Sequence, residues 1–375
     1  MGQPVELSES LFRDEVPRRD FVKMVTIAAA SVGLSSSAAM QVVEAASKGL
    51  KPCVIWLHFQ ECTGCTESLL RTSHPDIANL ILDLISLDYH ETLLAAAGHQ
   101  AEKSLRDAME QHKGKYVCII EGAIPTKDEG IYCKIGGRTA LEIVQEVAAD
   151  AGAIIAIGSC ASWGGIPSSP PNPTGATGAP MVLEGKTVVT IPGCPANPYN
   201  LLGTVLQFVA LGSLPALDDK GRPLFAYGRT IHEHCPRRAH FDAGRFVQQF
   251  GDDGHRQGWC LYKMGCKGPA THANCSVMSF GEVPDAWPIG VGHPCFGCTE
   301  DALAFKVALH DTVTIERPTP PDTYPPIRAP QGRMSALATG IAGVAVGAAV
   351  GAGWAASKKL DASDTSRDLP RKKER

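Results

Sequence analysis

Between Pro52 and about Leu211, short apolar runs alternate with amphipathic stretches. The runs are CVIWLHF (53–59), LILDLISLDY (80–89), YVCIIEGA (116–123), AIIAIGS (153–159) and TVVTIPG (187–193), each long enough for one strand. Between them, AEKSLRDAMEQH (101–112) and RTALEIVQEVAADA (138–151) have helical character. Five strand–helix units of this kind predict an α/β domain over 48–229, a parallel sheet with helices on both faces. Open sheets of this type bind ligands at the carboxyl ends of their strands.

From about Thr230 the alternation stops. Turn residues are dense, and metal-ligating residue types crowd together in HEHCPRR, WCLYKMGC, NCS and HPCFGC. A segment so poor in regular core patterning predicts a small irregular domain over 230–330, organised around inorganic centres.

The two ends read differently from the body. Residues 1–47 contain Arg18-Arg19 followed by Phe21, Lys23 and a modest apolar run, the pattern of a twin-arginine export signal. Residues 334–357 carry no charge. As a helix they would rise ~36 Å, against a hydrocarbon core of ~30 Å. Gly343, Gly347 and Gly351 form a stripe suited to close helix packing in a bilayer. Lys358, Lys359 and the tail to 375 are basic, so the positive-inside rule puts the C-terminus in the cytoplasm and the main domain on the periplasmic side of the inner membrane. The Pro-rich stretch at 317–330 reads as a spacer.

Composition narrows the chemistry. With 35 basic and 39 acidic side chains there is no basic surface for nucleic acid. Thirteen cysteines are too few for a small disulfide scaffold, and the number is odd. Cys62 and Cys65 follow the first strand, Cys160 the fourth and Cys194 the fifth, so four thiols from three loops converge on one sheet edge. That is the complement of one 4Fe–4S cluster. The second segment offers His232, Cys235, Cys260 and Cys266, which would close another four-ligand site. Cys275, Cys295 and Cys298 then leave a three-ligand site suited to a 3Fe–4S cluster. Cys53 and Cys118 read as buried strand residues, and Cys133, in a loop, has no assigned role. Zinc, a thioredoxin-type pair at Cys62/Cys65, disulfides and an FMN-binding flavodoxin-like carrier are the competing readings. Twin-arginine transport carries folded chains, which favours thiols already filled before export.

The motifs RRDFVK, ECTGCTES, GSCASWGG, PGCP, HEHCPRR, GCKGP and WPIGVGHPCFGCTE, in this order and with the terminal anchor, resemble the small, electron-transfer subunit of membrane-bound nickel–iron uptake hydrogenases over essentially the whole chain. The resemblance implies a flavodoxin-like domain with a proximal 4Fe–4S cluster on Cys62, Cys65, Cys160 and Cys194. It implies a distal 4Fe–4S cluster on His232, Cys235, Cys260 and Cys266, the HxxC spacing choosing His232 over His234. A medial 3Fe–4S cluster falls to Cys275, Cys295 and Cys298. The nickel–iron site belongs to a separate large subunit, so no catalytic residue is expected in this chain, with Glu61 and Thr63 as proton-transfer support; a helix cap or a surface ion pair is the plainer role for Glu61. Trp287 and Phe296 are expected near the medial ligands. Gly64 and Gly165 stand where oxygen-tolerant relatives carry extra cysteines, which implies an ordinary proximal cluster and an oxygen-sensitive enzyme. The implied partners are the large subunit, the twin-arginine translocase and a membrane cytochrome b or similar quinone-linked subunit. A hydrogen sensor and a non-redox zinc adaptor are the alternative functions.

Overall fold

The computed structural model describes residues 51–315 apart from His74, Gly281 and Glu282. The expected export signal (1–47), membrane span (334–357) and basic tail (358–375) lie outside the described residues. Among the described residues no helix is long and apolar enough to cross a membrane.

Five strands form one parallel sheet: β1 (Cys53–His58), β2 (Ser86–His90), β3 (Val117–Glu121), β4 (Ala153–Ile157) and β5 (Val188–Ile191). Their spatial order is β2-β1-β3-β4-β5. That is the flavodoxin-like order, with its switch point between β1 and β3. Register is even across the centre, with Val54 opposite Val117 and Val117 opposite Ala153. Strands β1, β3, β4 and β5 are buried along their whole length. That is why their sequences run apolar without alternation.

The longer helices are α1 (Gly64–Leu70), α2 (His99–Gln111), α3 (Ala140–Ala149), α4 (Gly158–Trp163) and α5 (Pro198–Leu211). Helix α3 starts on a capping box, in which Thr139 accepts from the Glu142 N–H and Glu142 accepts from the Thr139 N–H. Strand side chains divide between the two faces with period two. Val54, Trp56, Val117, Ile119, Ile155 and Ile157 pack with α1 and α5. Ile55, Leu57, Cys118, Ile120, Ile154 and Ala156 pack with α2 and α3.

One expected strand is corrected. The run 80–89 reads as a single strand in sequence, but Asp76 accepts a hydrogen bond from the Asn79 N–H and starts a helix over Ile77–Asn79. A π-helical turn continues it over Leu80–Leu84, and β2 occupies only Ser86–His90. A short apolar run does not by itself separate a buried helix from a buried strand.

After α5 the longest helical segment among the described residues is five residues, Arg238–Asp242. This irregular part is not a separate layer. Ile231, Val247, Leu261, Trp287 and Ile289 join the same core as β1, α1 and α5. The carboxyl ends of the strands and the irregular segment therefore share one apolar body.

Candidate metal centres

The first group of thiols forms at the carboxyl ends of β1, β4 and β5. Beyond β1 the chain turns through Thr63, whose φ of 60° is an outlier for a β-branched residue. This turn carries Cys62 and leads into α1, which carries Cys65. Helix α4 begins at Gly158 (φ +81°) immediately after β4 and carries Cys160. A Cβ at Gly158 would lie 2.6 Å from the Cys65 Sγ, so only glycine lets the two loops meet. Cys194 follows β5. Cys62, Cys65, Cys160 and Cys194 lie within electrostatic reach of one another. Burial first, and the neighbouring thiols after it, push the Cys160 thiol up to about 12.

A carboxylate absent from the sequence expectations organises this group. Glu121, at the end of β3, is 2% exposed. It accepts from the Cys65 N–H (3.0 Å), the Thr66 N–H (3.3 Å), the Thr66 hydroxyl (2.6 Å) and the Trp56 indole N–H (3.1 Å). The one available signal was an acidic residue ending an otherwise apolar strand. Glu61 stands beside it. Its Oε1 accepts from the Thr63 hydroxyl at 3.2 Å and lies 3.2 Å from His58 Nδ1, while its Oε2 is buried without a hydrogen-bond partner. Burial raises the Glu61 pKa, and the Thr63 hydrogen bond opposes the rise. Glu61 therefore neither caps α1, whose N-cap is Thr63, nor pairs with a surface cation; its neighbour is a buried histidine.

The second group lies in the irregular segment. His232, Cys235, Cys260 and Cys266 line one pocket, together with Leu261 and Ile289. His232 packs edge-on against Phe241, with 4.5 Å between ring centroids, and its Nε2 is buried without a hydrogen-bond partner. Burial, with Arg238 after it, lowers its pKa to about 4, so the imidazole is neutral near pH 7 and free to donate a lone pair. His234 turns instead to Arg229, with its Nε2 2.9 Å from the guanidinium.

In the third group, Cys275 and Cys298 line a pocket with Asn200, Tyr227, Pro288 and Phe296. Cys295 is close enough to both to raise their pKa values or have its own raised. Trp287 lies in the adjoining core and Phe296 on the cavity wall.

The three groups adjoin in series. Cys194 of the first lines the same pocket as Cys275 and Cys298 of the third. The Ser159 hydroxyl donates to the Cys298 carbonyl at 2.5 Å. Between the third and second groups, the Lys267 N–H donates to the Cys295 carbonyl at 2.7 Å, and Cys266 is near enough to push the Cys295 thiol further up. Burial drives every one of these shifted thiols toward its protonated form, and a cluster of buried thiols has no hydrogen-bonding logic of its own. A polynuclear cation that takes thiolate and neutral imidazole ligands fits the donor set, the cavities and the orphaned His232 nitrogen.

The remaining cysteines stand apart. Cys53 and Cys118 are buried in β1 and β3, and Cys133 packs against the second core. Cys53 lies near Asp88 and His112 at the opposite ends of the strands. A Cβ at Gly64 would lie 3.0 Å from Cys62 Sγ, and one at Gly165 2.8 Å from Cys160 Sγ, so both glycines abut the first group.

Against known proteins, residues 62–208 match the family model described as NADH ubiquinone oxidoreductase, 20 Kd subunit. Residues 227–310 match the model for the C-terminal part of the NiFe/NiFeSe hydrogenase small subunit. The chain is 51% identical over 346 residues to the Hydrogenase-2 small chain of Escherichia coli (strain K12), covering 92% of this chain and 93% of that one. The chain belongs to the small-subunit family of nickel–iron hydrogenases. It is 48% identical over 287 residues to the quinone-reactive Ni/Fe-hydrogenase small chain of Wolinella succinogenes, covering 76% of this chain and 80% of that one. A solved Ni-Fe-Se hydrogenase from Desulfomicrobium baculatum, in a reduced, active form, superimposes with a TM-score of 0.65 at 34% identity, over 70% of this chain and 100% of that one. This hydrogenase small subunit is thus part of an oxidoreductase acting on H2 and works with a large subunit. Small subunits of the family carry iron–sulfur clusters.

Proposed function

We propose that this small subunit holds three iron–sulfur clusters in series and relays electrons between the nickel–iron site of its large subunit and a membrane acceptor during H2 oxidation. Cys62, Cys65, Cys160 and Cys194 hold a proximal 4Fe–4S cluster. Cys275, Cys295 and Cys298 hold a medial 3Fe–4S cluster, and His232, Cys235, Cys260 and Cys266 a distal 4Fe–4S cluster. The observations that carry the order are the pocket that Cys194 shares with Cys275 and Cys298, which joins the first group to the third, and the Lys267 N–H, next to Cys266, that donates to the Cys295 carbonyl at 2.7 Å, which joins the third to the second.

The clusters, when bound, supply one-electron carriers whose potentials answer to ligand type, hydrogen bonds and solvent exposure. The chain's own residues do the rest. Ten thiolates and one neutral imidazole fix the carriers, and the core residues around them exclude water. Glu61, with Thr63 donating to it and His58 beside it, offers a partly desolvated carboxyl that accepts and returns protons next to the large subunit's site. Gly64 and Gly165 leave the proximal group with four thiols, which supports an ordinary proximal cluster and an oxygen-sensitive enzyme.

The same reading places the main domain on the periplasmic side of the inner membrane, exported by the twin-arginine translocase, with a span at 334–357 and a cytoplasmic tail. The acceptor is a cytochrome b or similar quinone-linked subunit, in keeping with the quinone-reactive relative from Wolinella succinogenes. The test is anaerobic purification of the membrane complex with joint iron, sulfide and electron paramagnetic resonance measurements. About eleven irons in this subunit and a 3Fe–4S signal after oxidation are expected. Zinc in the thiol sites, or iron without the three-iron signal, would overturn the assignment.

A further inference from the structure

Lys267 immediately follows Cys266 and has none of its surface exposed. Its Nζ stands within hydrogen-bond distance of four carbonyl oxygens, those of Ala308 (2.8 Å), Leu309 (3.0 Å), Asp311 (3.3 Å) and Gly265 (3.4 Å), which its three N–H groups share. Four acceptors around one nitrogen leave no donor for the lone pair of a neutral amine, so the cage fits the ammonium. Carbonyl dipoles solvate this charge without neutralising it. A buried cation left this way is costly unless anionic charge lies near. Cys266 precedes Lys267 in the chain and the Cys295 carbonyl accepts from the Lys267 N–H at 2.7 Å, so the thiols of both residues are where that charge arises once the sites are filled.

The proximal group has the opposite neighbourhood. There the buried charged side chain next to the ligands is the carboxylate of Glu121, bonded to the Cys65 N–H.

We propose that Lys267 is a fixed internal cation that raises the reduction potentials of the medial and distal sites together. It is a positioning residue for charge and binds no iron. Reduction adds one negative charge to a cluster, and a cation held close by, away from water, stabilises the added charge. One lysine bonded through its backbone to a residue of the medial set and next in sequence to a residue of the distal set would act on both, which keeps the outer half of the relay receptive to electrons leaving the proximal site. The inference rests on the ligand assignment proposed above.

The experiment is a potentiometric titration of the anaerobically purified heterodimer, followed by electron paramagnetic resonance, for the wild type, Lys267→Gln and Lys267→Met. Gln keeps N–H donors for the carbonyl cage but removes the charge. The expected result is a lower midpoint potential at both the medial and distal clusters in both variants, with the proximal midpoint unmoved. Unchanged midpoints with full iron content would overturn the inference. Loss of iron from both variants would also overturn it, because Lys267 would then be a clamp on residues 308–311. Absence of the three-iron signal in the wild type would instead fail the ligand assignment, which separates the two outcomes.

Discussion

His90 shows how one buried side chain is fixed by its neighbours. Its Nδ1 accepts from the Leu93 N–H at 3.3 Å, so in the neutral ring the proton sits on Nε2, 3.4 Å from the Thr66 hydroxyl. The Thr66 hydroxyl in turn donates to Glu121 at 2.6 Å. A second proton on the ring would remove the Leu93 bond. Burial, with His58 adding to it, lowers the His90 pKa to about 3. The unfolded chain takes up a proton near pH 6.5 and the folded chain does not, so this residue costs stability as pH falls from about 6.5 toward 3. The slope is roughly 1.4 kcal/mol per pH unit. Urea unfolding at pH 7.5 and 5.5 is expected to show wild-type stability falling by about 1 kcal/mol more than that of His90→Gln. An equal fall in both proteins would assign the acid sensitivity to other groups. Nothing in SLDYHE pointed to this chain of bonds, because its partners come from β1, α1 and β3.

At the scale of elements, the loops after β1, β4 and β5 bring the first group of thiols together, two of them through a single glycine. Those after β1 and β4 meet through Gly158, whose missing side chain admits the Cys65 thiol and whose φ of +81° lets α4 start directly from the strand. Gly158→Ala introduces a Cβ 2.6 Å from that sulfur, plus backbone strain of order 1–3 kcal/mol. Purified Gly158→Ala heterodimer is expected to have about four fewer irons than the wild type, with the medial signal retained. Full iron content would show that α4 can shift aside, and that the close approach is not needed. Element boundaries are only partly legible in the sequence. Strands β1, β3, β4 and β5 announce themselves as unbroken apolar runs, whereas the helix from Ile77 is hidden because its apolar residues merge with those of β2.

For the whole molecule, the sheet and the irregular segment share one core, and the three ligand groups occupy that shared body. On the function proposed above, residues 334–357 anchor the relay at a membrane acceptor. A chain truncated before Met334 is expected to assemble with the large subunit and appear in the soluble periplasmic fraction, with the intact chain in the membrane fraction. Retention of the truncated complex on membranes would assign anchoring to another surface. The parallel α/β class, the loops that carry the thiols and the family were all legible from sequence, because strand periodicity, turn residues and CxxC spacing are local patterns. The resemblance also chose His232 over His234 by spacing. The rest was decided in three dimensions. Which groups adjoin which, the unpartnered His232 nitrogen, the Glu121 and His58 contacts at the first group and the enclosed Lys267 ammonium all depend on residues far apart in the chain. Burial and charge proximity are properties of the packed body, and no window of sequence contains them.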